Sequence, residues 1–273
     1  VCTEQNVDPK DFEIIHTDEV IGMSEKAAKA FQQKQNSSIG VGLKMLAEKK
    51  LDGFASAGNT GAVFVGSLFT VKAIPGILRP AISTVVPKES GSTGTILDIG
   101  VNADCKPEVL AQFAILGSML LQHVFGVKDP KVGLMNIGEE REKGNQLCQA
   151  TYPLLEQSKR INFAGNIEGR DLFNNKADVI VCDGFTGNII LKLAESFYWV
   201  LRKREITDEY FEKFNFENYG GTPILGINST VVIGHGISKA KAIKNMITLT
   251  YRLADARLSE KISSAFQESI VNQ

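Results

Sequence analysis

Short, continuously apolar segments alternate with helical patterns along most of this chain. Clear examples are residues 95–99, 132–137 and 179–182, each of which is followed by a helical pattern. Strands that are apolar on both faces are typical of a parallel sheet covered by helices on both sides. We therefore predict an α/β protein with a mostly parallel, doubly wound sheet in a three-layer α/β/α arrangement.

The same pattern divides the rest of the chain. Further strands are predicted at 12–16, 53–57, 82–86, 161–167 and 231–235. Helices are predicted to begin at 25, to follow the 58–61 corner as far as 72, and to cover 39–49, 107–125, 145–157 and 239–262. A further helix is predicted from the 183–188 corner to 201. Ser24 is the predicted N-cap of the first helix, and Thr186 is the predicted cap of the helix that ends at 201. We interpret residues 1–273 as a single domain, with 189–221 as a helical excursion that contacts a membrane or a second copy.

Charge and cysteine content narrow the function classes. The chain has 30 basic and 31 acidic residues, so it has no basic excess for nucleic acid. Its four cysteines form no CxxC pair and its three histidines no HExxH pattern, so we expect no metal and a reducing compartment. No apolar run of about 18 residues is apparent, so no membrane span is predicted.

Glycine-rich corners follow six of the predicted strands, and five of them contain an asparagine. They lie at 57–62, 98–102, 136–140, 165–168, 183–188 and 234–236. One such corner is better explained as a turn, because Gly and Asn tolerate positive φ. The carboxyl ends of parallel strands share one edge, where glycines and helix N-termini admit an anion. The set of corners therefore predicts one phosphate site.

Residues at these corners are our site candidates. The predicted phosphate ligands are Gly58, Thr60, Gly61, Asn136, Glu139, Lys143, Asn145, Asn166 and Thr186. The predicted catalytic residues are Asn59, Asp98, Asn102, Lys106, Asp183 and Asn188. For the acidic residues the alternative is a structural role, since carboxylates at strand ends often cap helices.

Several nucleotide and nucleophile motifs are missing from the sequence. There is no GxxxxGK[ST] loop, no GxGxxG after a strand and no GxSxG elbow. Cys182 ends a predicted strand and could be a nucleophile, although packing in the core is the commoner role for such a cysteine. The chain is therefore expected to need no nucleotide cofactor and no serine nucleophile.

Six motifs together resemble the PlsX family of phosphate acyltransferases. They are AGNTGA (57–62), DIGVNADCKPE (98–108), GLMNIGEEREKGN (133–145), GNIEGRDL (165–172), DGFTGN (183–188) and NYGG (218–221). The resemblance extends over nearly the whole chain. Two features depart from the family's pattern. The chain lacks a DAMGGD-like first corner, so we expect the first strand to precede Val1. The stretch over 202–217 is also shorter than in the family.

The resemblance implies a fold similar to isopropylmalate dehydrogenases and phosphotransacetylases. It also implies that the enzyme transfers an acyl group from acyl carrier protein to inorganic phosphate, and that a membrane glycerol-3-phosphate acyltransferase uses the product. A cytoplasmic homodimer, peripherally attached to the membrane, is expected. No cofactor is implied.

The simplest mechanism is direct attack by phosphate on the thioester. Corner amides with Asn59, Asn102 and Asn188 would hold phosphate or the developing oxyanion, and Lys106 and Lys143 would offset charge. The acidic residues Asp98, Asp183 and Glu139 would orient these groups or move a proton. For the acyl chain we predict Phe185, Phe197 and Trp199, although an aromatic stripe on a helix is more often core or a dimer contact.

Two other functions remain open from the residues alone. A phosphotransacetylase-like enzyme would use acyl-CoA in place of acyl carrier protein. A non-catalytic sensor would bind acyl groups without phosphate-dependent turnover. The basic residues Arg202, Lys203 and Arg204 could receive an acidic carrier protein or face lipid.

Overall fold

The computed structural model describes residue 5 and residues 7–271. Its strands are β1 (Gly53–Ser56), β2 (Ala81–Pro87), β3 (Thr93–Leu97), β4 (Lys131–Met135), β5 (Asn162–Ile167), β6 (Val179–Val181), β7 (Thr222–Leu225) and β8 (Thr230–Ile233). They form one sheet in the order β1-β8-β7-β2-β3-β6-β4-β5.

Helices follow most of the strands. They are α1 (Ala27–Gln33), α2 (Ser38–Ala47), α3 (Thr60–Thr70), α4 (Pro107–Phe125), α5 (Gln146–Glu156), α6 (Gly184–Lys203), α7 (Glu209–Glu212), α8 (Ala240–Asp255) and α9 (Leu258–Val271). Three short 3₁₀ helices lie at Pro9–Asp11, Gly169–Asp171 and Phe216–Asn218.

Two apolar cores cover the two faces of the sheet. Successive residues of a strand point to opposite faces, so Leu97 packs with Phe113 of α4 while Ile96 belongs to the core that contains Leu43 of α2. The helices α4, α5, α8 and α9 cover the first face, and α1, α2, α3 and the inner side of α6 cover the second. The predicted three-layer α/β/α fold is confirmed.

The sheet consists of two parallel blocks that run in opposite directions. β1 and β8 are parallel, and so are β3, β6, β4 and β5. Between the blocks, β7 pairs antiparallel with β8 and β2, and β2 pairs antiparallel with β3. The carboxyl ends of β3, β4, β5 and β6 therefore form one edge, here named the Asp98 edge. Those of β1, β2 and β8 form the opposite edge, the His235 edge.

This topology corrects the prediction that all corners converge on one edge. The corners that contain Asp98, Asn136, Asn166 and Asp183 do share an edge. The corner with Gly58, Asn59, Thr60 and Gly61 and the corner with His235 lie at the other. The antiparallel ribbon of β7 and β2 reverses the second block, and β7 was missed because Gly220, Gly221 and Pro223 obscure its strand pattern.

Three local predictions were also wrong. Residues 12–16 form no strand, and Phe12, Ile14 and Ile15 are exposed. Helix α1 begins later than predicted and has Lys26, not Ser24, at its N-cap. The predicted helix over 239–262 is broken into α8 and α9 by Arg257, whose φ is 49°.

Helix α4 is long and apolar enough to cross a membrane when judged by length and composition. Its most apolar 18-residue stretch has a mean hydropathy of 1.4, and 61% of that stretch is buried inside the protein. Since α4 packs against β3, β4 and β6, it is a core helix of the sheet.

Candidate active site

Asp98 organises the corner after β3. Its buried carboxylate accepts hydrogen bonds from the backbone amides of Ile82 (3.0 Å), Ile99 (2.9 Å), Val101 (3.1 Å) and Asn102 (2.6 Å). Burial raises the pKa of Asp98, although these hydrogen bonds act in the opposite direction. The amides that were expected to face an anion are therefore turned inward onto a carboxylate of the protein itself.

The asparagines of this edge are also bonded within the protein. Asn102 donates to the carbonyl of Pro80 at 2.9 Å and to Asp98 at 3.1 Å. Asn136 accepts from the amide of Ile137 and donates to the carbonyl of Lys143, while Asn166 donates to the carbonyl of Glu140 and Asn145 caps α5. Their side chains thus hold loops in place.

The first turn of α6 packs against the Asp98 corner. Asp183, not Thr186 as predicted, is the N-cap, and it accepts from the Thr186 amide at 2.8 Å and from its hydroxyl at 3.1 Å. A Cβ placed on Gly100 would lie 3.4 Å from the Asn188 side chain. The structure therefore brings together four predicted catalytic residues, Asp98, Asn102, Asp183 and Asn188, of which Asn188 is exposed.

The predicted cations of the Asp98 edge are exposed. Lys106 is the N-cap residue of α4 and makes no side-chain capping bond, and Lys143 is likewise exposed. Glu139 instead forms an ion pair with Lys176 at 2.8 Å, and that hydrogen bond lowers the pKa of Glu139. Glu139 therefore holds a cation rather than presenting a free carboxylate.

At the His235 edge, Asn59 joins two parts of the chain. Its Oδ1 accepts from the amide of Ala62 at 3.0 Å and so caps α3. Its Nδ2 donates to the carbonyls of Gly22 (3.1 Å), Met23 (3.2 Å) and Glu25 (3.2 Å). Thr60, the next residue, remains exposed at the N-terminus of α3, where helix amides favour an anion.

A carboxylate–imidazole pair that the sequence did not single out lies at the same edge. His235 Nε2 is 3.4 Å from Glu195 Oε1, and Lys192 pairs with the other Glu195 oxygen at 2.8 Å. Burial acts to raise the pKa of Glu195, but the hydrogen bonds from His235 and Lys192 outweigh it and lower that pKa. The ring of Phe216 lies 4.7 Å from that of His235.

This pair borders an apolar cavity of about 90 Å³, partly open to solvent, under the middle of α6. The predicted acyl-binding residues do not line this cavity. Phe185, Phe197 and Trp199 are 64%, 60% and 52% exposed on the outer side of α6. Trp199 lines a smaller adjoining pocket together with Glu195 and His235.

None of the three cysteines that the structure describes is poised as a nucleophile. Burial raises the pKa of Cys105 to about 12 and also raises those of Cys148 and Cys182. A thiol with a raised pKa stays protonated at neutral pH and is a weak nucleophile. Within the described ranges, no group of three or more His, Cys, Asp or Glu residues could hold a metal ion.

Solved structures share this fold at low sequence identity. The EutD phosphotransacetylase from Staphylococcus aureus matches with a TM-score of 0.62 and 16% identity, and a phosphotransacetylase from Streptococcus pyogenes with 0.65 and 17%. Each match covers 93% of this chain and 82% of the other. At such identity they establish the fold alone, which is the predicted phosphotransacetylase-like one.

Sequence comparison gives a closer relationship. The family described as fatty acid synthesis protein matches residues 2–261. The phosphate acyltransferase of Dictyoglomus thermophilum is 44% identical over 281 aligned positions, covering 96% of this chain and 84% of the relative. That of Halothermothrix orenii is 46% identical, covering 86% and 76%. This chain therefore belongs to the fatty acid synthesis protein family, the PlsX family of phosphate acyltransferases.

Proposed function

We propose that this phosphate acyltransferase takes a fatty acyl group from acyl carrier protein and transfers it to inorganic phosphate, giving acyl phosphate. Support comes above all from the match of nearly the whole chain to relatives named phosphate acyltransferase. The proposal adds acyl carrier protein as the acyl donor, and acyl-CoA is the alternative donor.

In the proposed reaction a phosphate oxygen forms a bond to the thioester carbonyl carbon. The carbon–sulfur bond then breaks, and the carrier thiol leaves and takes up a proton. Phosphate is already anionic at neutral pH, so positioning matters more than activation. The raised thiol pKa values of Cys105, Cys148 and Cys182 support direct attack without an acyl-enzyme.

The predicted phosphate ligands lie at two edges and cannot all contact one phosphate. We place it at the His235 edge, beside Gly58, Thr60 and Gly61, because this corner begins α3 and neighbours the corner of His235. A Cβ on Gly234 would lie 3.5 Å from the Cβ of Ala57, which shows how closely the two corners approach.

Two further proposals concern assembly. Exposed apolar side chains on α6, among them Ile189, Leu193 and Phe197, support a homodimer or a peripheral membrane contact in the cytoplasm. Lys203 and Arg204 at the end of α6 provide positive charge for an acidic carrier protein, while the charge of Arg202 is offset by Glu212 at 3.1 Å. A membrane glycerol-3-phosphate acyltransferase would then consume the acyl phosphate.

The function is tested by mixing the protein with palmitoyl-acyl carrier protein and varying phosphate, with acyl phosphate trapped as its hydroxamate. Saturable, phosphate-dependent product is expected, and the carrier-protein donor should outperform palmitoyl-CoA. Preference for the CoA thioester would favour the phosphotransacetylase-like alternative. Acyl binding without product would favour the sensor.

Phosphate placement is tested by one variant at each edge. Thr60→Asp puts a negative charge at the start of α3 and should raise the phosphate KM more than the donor KM. Lys106→Ala makes the matching change at the Asp98 edge. A larger rise in the phosphate KM with Lys106→Ala than with Thr60→Asp would place the phosphate at the Asp98 edge. That result would agree with the prediction from sequence that Lys106 offsets the phosphate charge.

A further inference from the structure

The cavity under α6 is enclosed mainly by four separate parts of the chain. Its walls are the inner side of α6, the carboxyl half of β2, the loop around Leu172 and the segment 213–222. Apolar side chains make up its deep part, with Val86 and Ile96 on the sheet and Ile190 and Leu191 on α6. An enclosed apolar space with few polar groups is the usual form of a small-molecule site.

Two ionisable residues of the lining, Glu195 and His235, mark one end as the entrance, since they also line the adjoining pocket. The Glu195 carboxylate and the His235 imidazole contact each other there, with side chains 23% and 39% exposed. Lys213 also lines the cavity, with its ammonium group 5.9 Å from the centre of the Tyr210 ring. On the sheet side Ile96 is 2% exposed, so the floor of the cavity is closed there.

We propose that this cavity binds the hydrocarbon chain of the acyl substrate, with the thioester at the Glu195–His235 pair and the methyl end between α6 and β2. This inference rests on the proposed function and adds where the substrate lies. It replaces the outer residues Phe185 and Phe197 as the acyl site, because a chain bound on an exposed face would remain half in water.

The orientation of the acyl chain follows from the residues that adjoin each end of the cavity. Glu195, His235 and Phe216 line both this cavity and the smaller pocket that contains Trp199. The corner of His235 also neighbours the corner at Ala57, where phosphate is placed above. A thioester at this end therefore meets phosphate, whereas one at the deep end would be sealed from it.

The proposal predicts a dependence on chain length that a single substitution removes. Each methylene that enters the cavity should improve kcat/KM about fourfold, until the cavity is filled. Ala194 lines the cavity, so Ala194→Phe should lower kcat/KM for palmitoyl-acyl carrier protein by more than about tenfold, as expected when two or more methylenes are excluded. Butyryl-acyl carrier protein should be unaffected.

Ser196→Phe is the matched control, because Ser196 is exposed on the outer side of the same helix. It should retain the wild-type dependence on chain length. Equal losses with palmitoyl and butyryl donors in Ala194→Phe, or no loss with either, would overturn the cavity as the acyl site. Absence of turnover by the wild-type protein with every donor would instead refute the proposed function.

A binding measurement needs neither turnover nor a folded variant. The chain has one tryptophan, Trp199, beside the entrance. Palmitic acid brominated near its carboxylate should quench Trp199 fluorescence saturably in the wild-type protein, and more strongly than palmitic acid brominated near its methyl end. Equal quenching by the two acids, or quenching that does not saturate, would contradict the proposed orientation.

Discussion

At the Asp98 edge, the polar side chains that resemble ligands are hydrogen-bonded to the protein's own backbone. At the His235 edge, by contrast, a carboxylate–imidazole pair borders an open apolar cavity. Asp98 accepts four backbone amides, and Asn102 and Asn136 bond to nearby carbonyls. Glu195 and His235 face each other at a cavity entrance. Substitutions should therefore affect mainly stability at the first edge and mainly turnover at the second.

The largest effect is expected where α6 meets the Asp98 corner. A Cβ on Gly187 would overlap the backbone carbonyl oxygen of Asp98, which cannot move without displacing the corner. Gly187→Ala should therefore cost about 4 kcal/mol or more of unfolding free energy, measured by urea denaturation. Asn188→Ala, at the exposed neighbouring position, should change that free energy by less than about 0.5 kcal/mol. Equal stability of the two variants would contradict the close packing.

Removing the Asp98 carboxylate comes next. Asp98→Ala leaves several buried amides without an acceptor and should destabilise the protein by about 3 kcal/mol. Asp183→Ala removes only the cap of α6 and should cost about 1 kcal/mol. If Asp98→Ala abolished turnover while leaving the unfolding transition unchanged, Asp98 would be a reacting group rather than the organiser of a loop.

A pH-dependent effect is expected below the cavity. Lys88 is fully buried and donates to the carbonyl of Leu172, and burial lowers its pKa to about 8. Its pKa returns to about 10.4 on unfolding, so above about pH 8 the unfolded state holds the extra proton and stability rises with pH.

Comparison with Lys88→Met isolates this contribution. Between about pH 8 and pH 10, the wild-type protein should gain about 2 kcal/mol of unfolding free energy relative to Lys88→Met. Chemical denaturation of both proteins at each pH gives the difference. A difference that stays constant with pH would show that the buried ammonium keeps its ordinary pKa.

The smallest effect on stability, and the sharpest contrast with the Asp98 edge, is expected at His235. His235→Asn should shift the unfolding free energy by less than about 1 kcal/mol, because a side-chain contact this exposed contributes little. It should lower kcat by at least about tenfold if the imidazole assists at the thioester. Normal turnover in this variant would remove the proposed difference between the two edges.

Much of the fold could be predicted because its signals are local. The range of α4 was predicted residue for residue, since Pro107 marks its first turn and Gly126 ends it in the left-handed conformation. Several strands were placed to within two residues at each end. β7 was missed because it is four residues long and contains a proline.

The candidate site was harder to predict, because glycine and asparagine serve turns and ligands alike. The local sequence of the corner does not show whether Asn102 hydrogen-bonds to the carbonyl of Pro80 or binds phosphate. Glu195 and His235 are 40 positions apart in the sequence, and no sequence motif predicts that their side chains are in contact.

The sequence by itself determined the alternation of strands and helices, the two-sided core and the family, because periodicity and motif order are properties of consecutive residues. The tertiary structure decided which corners share an edge, because strand direction depends on pairing between distant segments. Two antiparallel strands, β2 and β7, reverse one block of the sheet. The same long-range packing brings β2, α6 and the 213–222 segment around one cavity that no stretch of sequence contains.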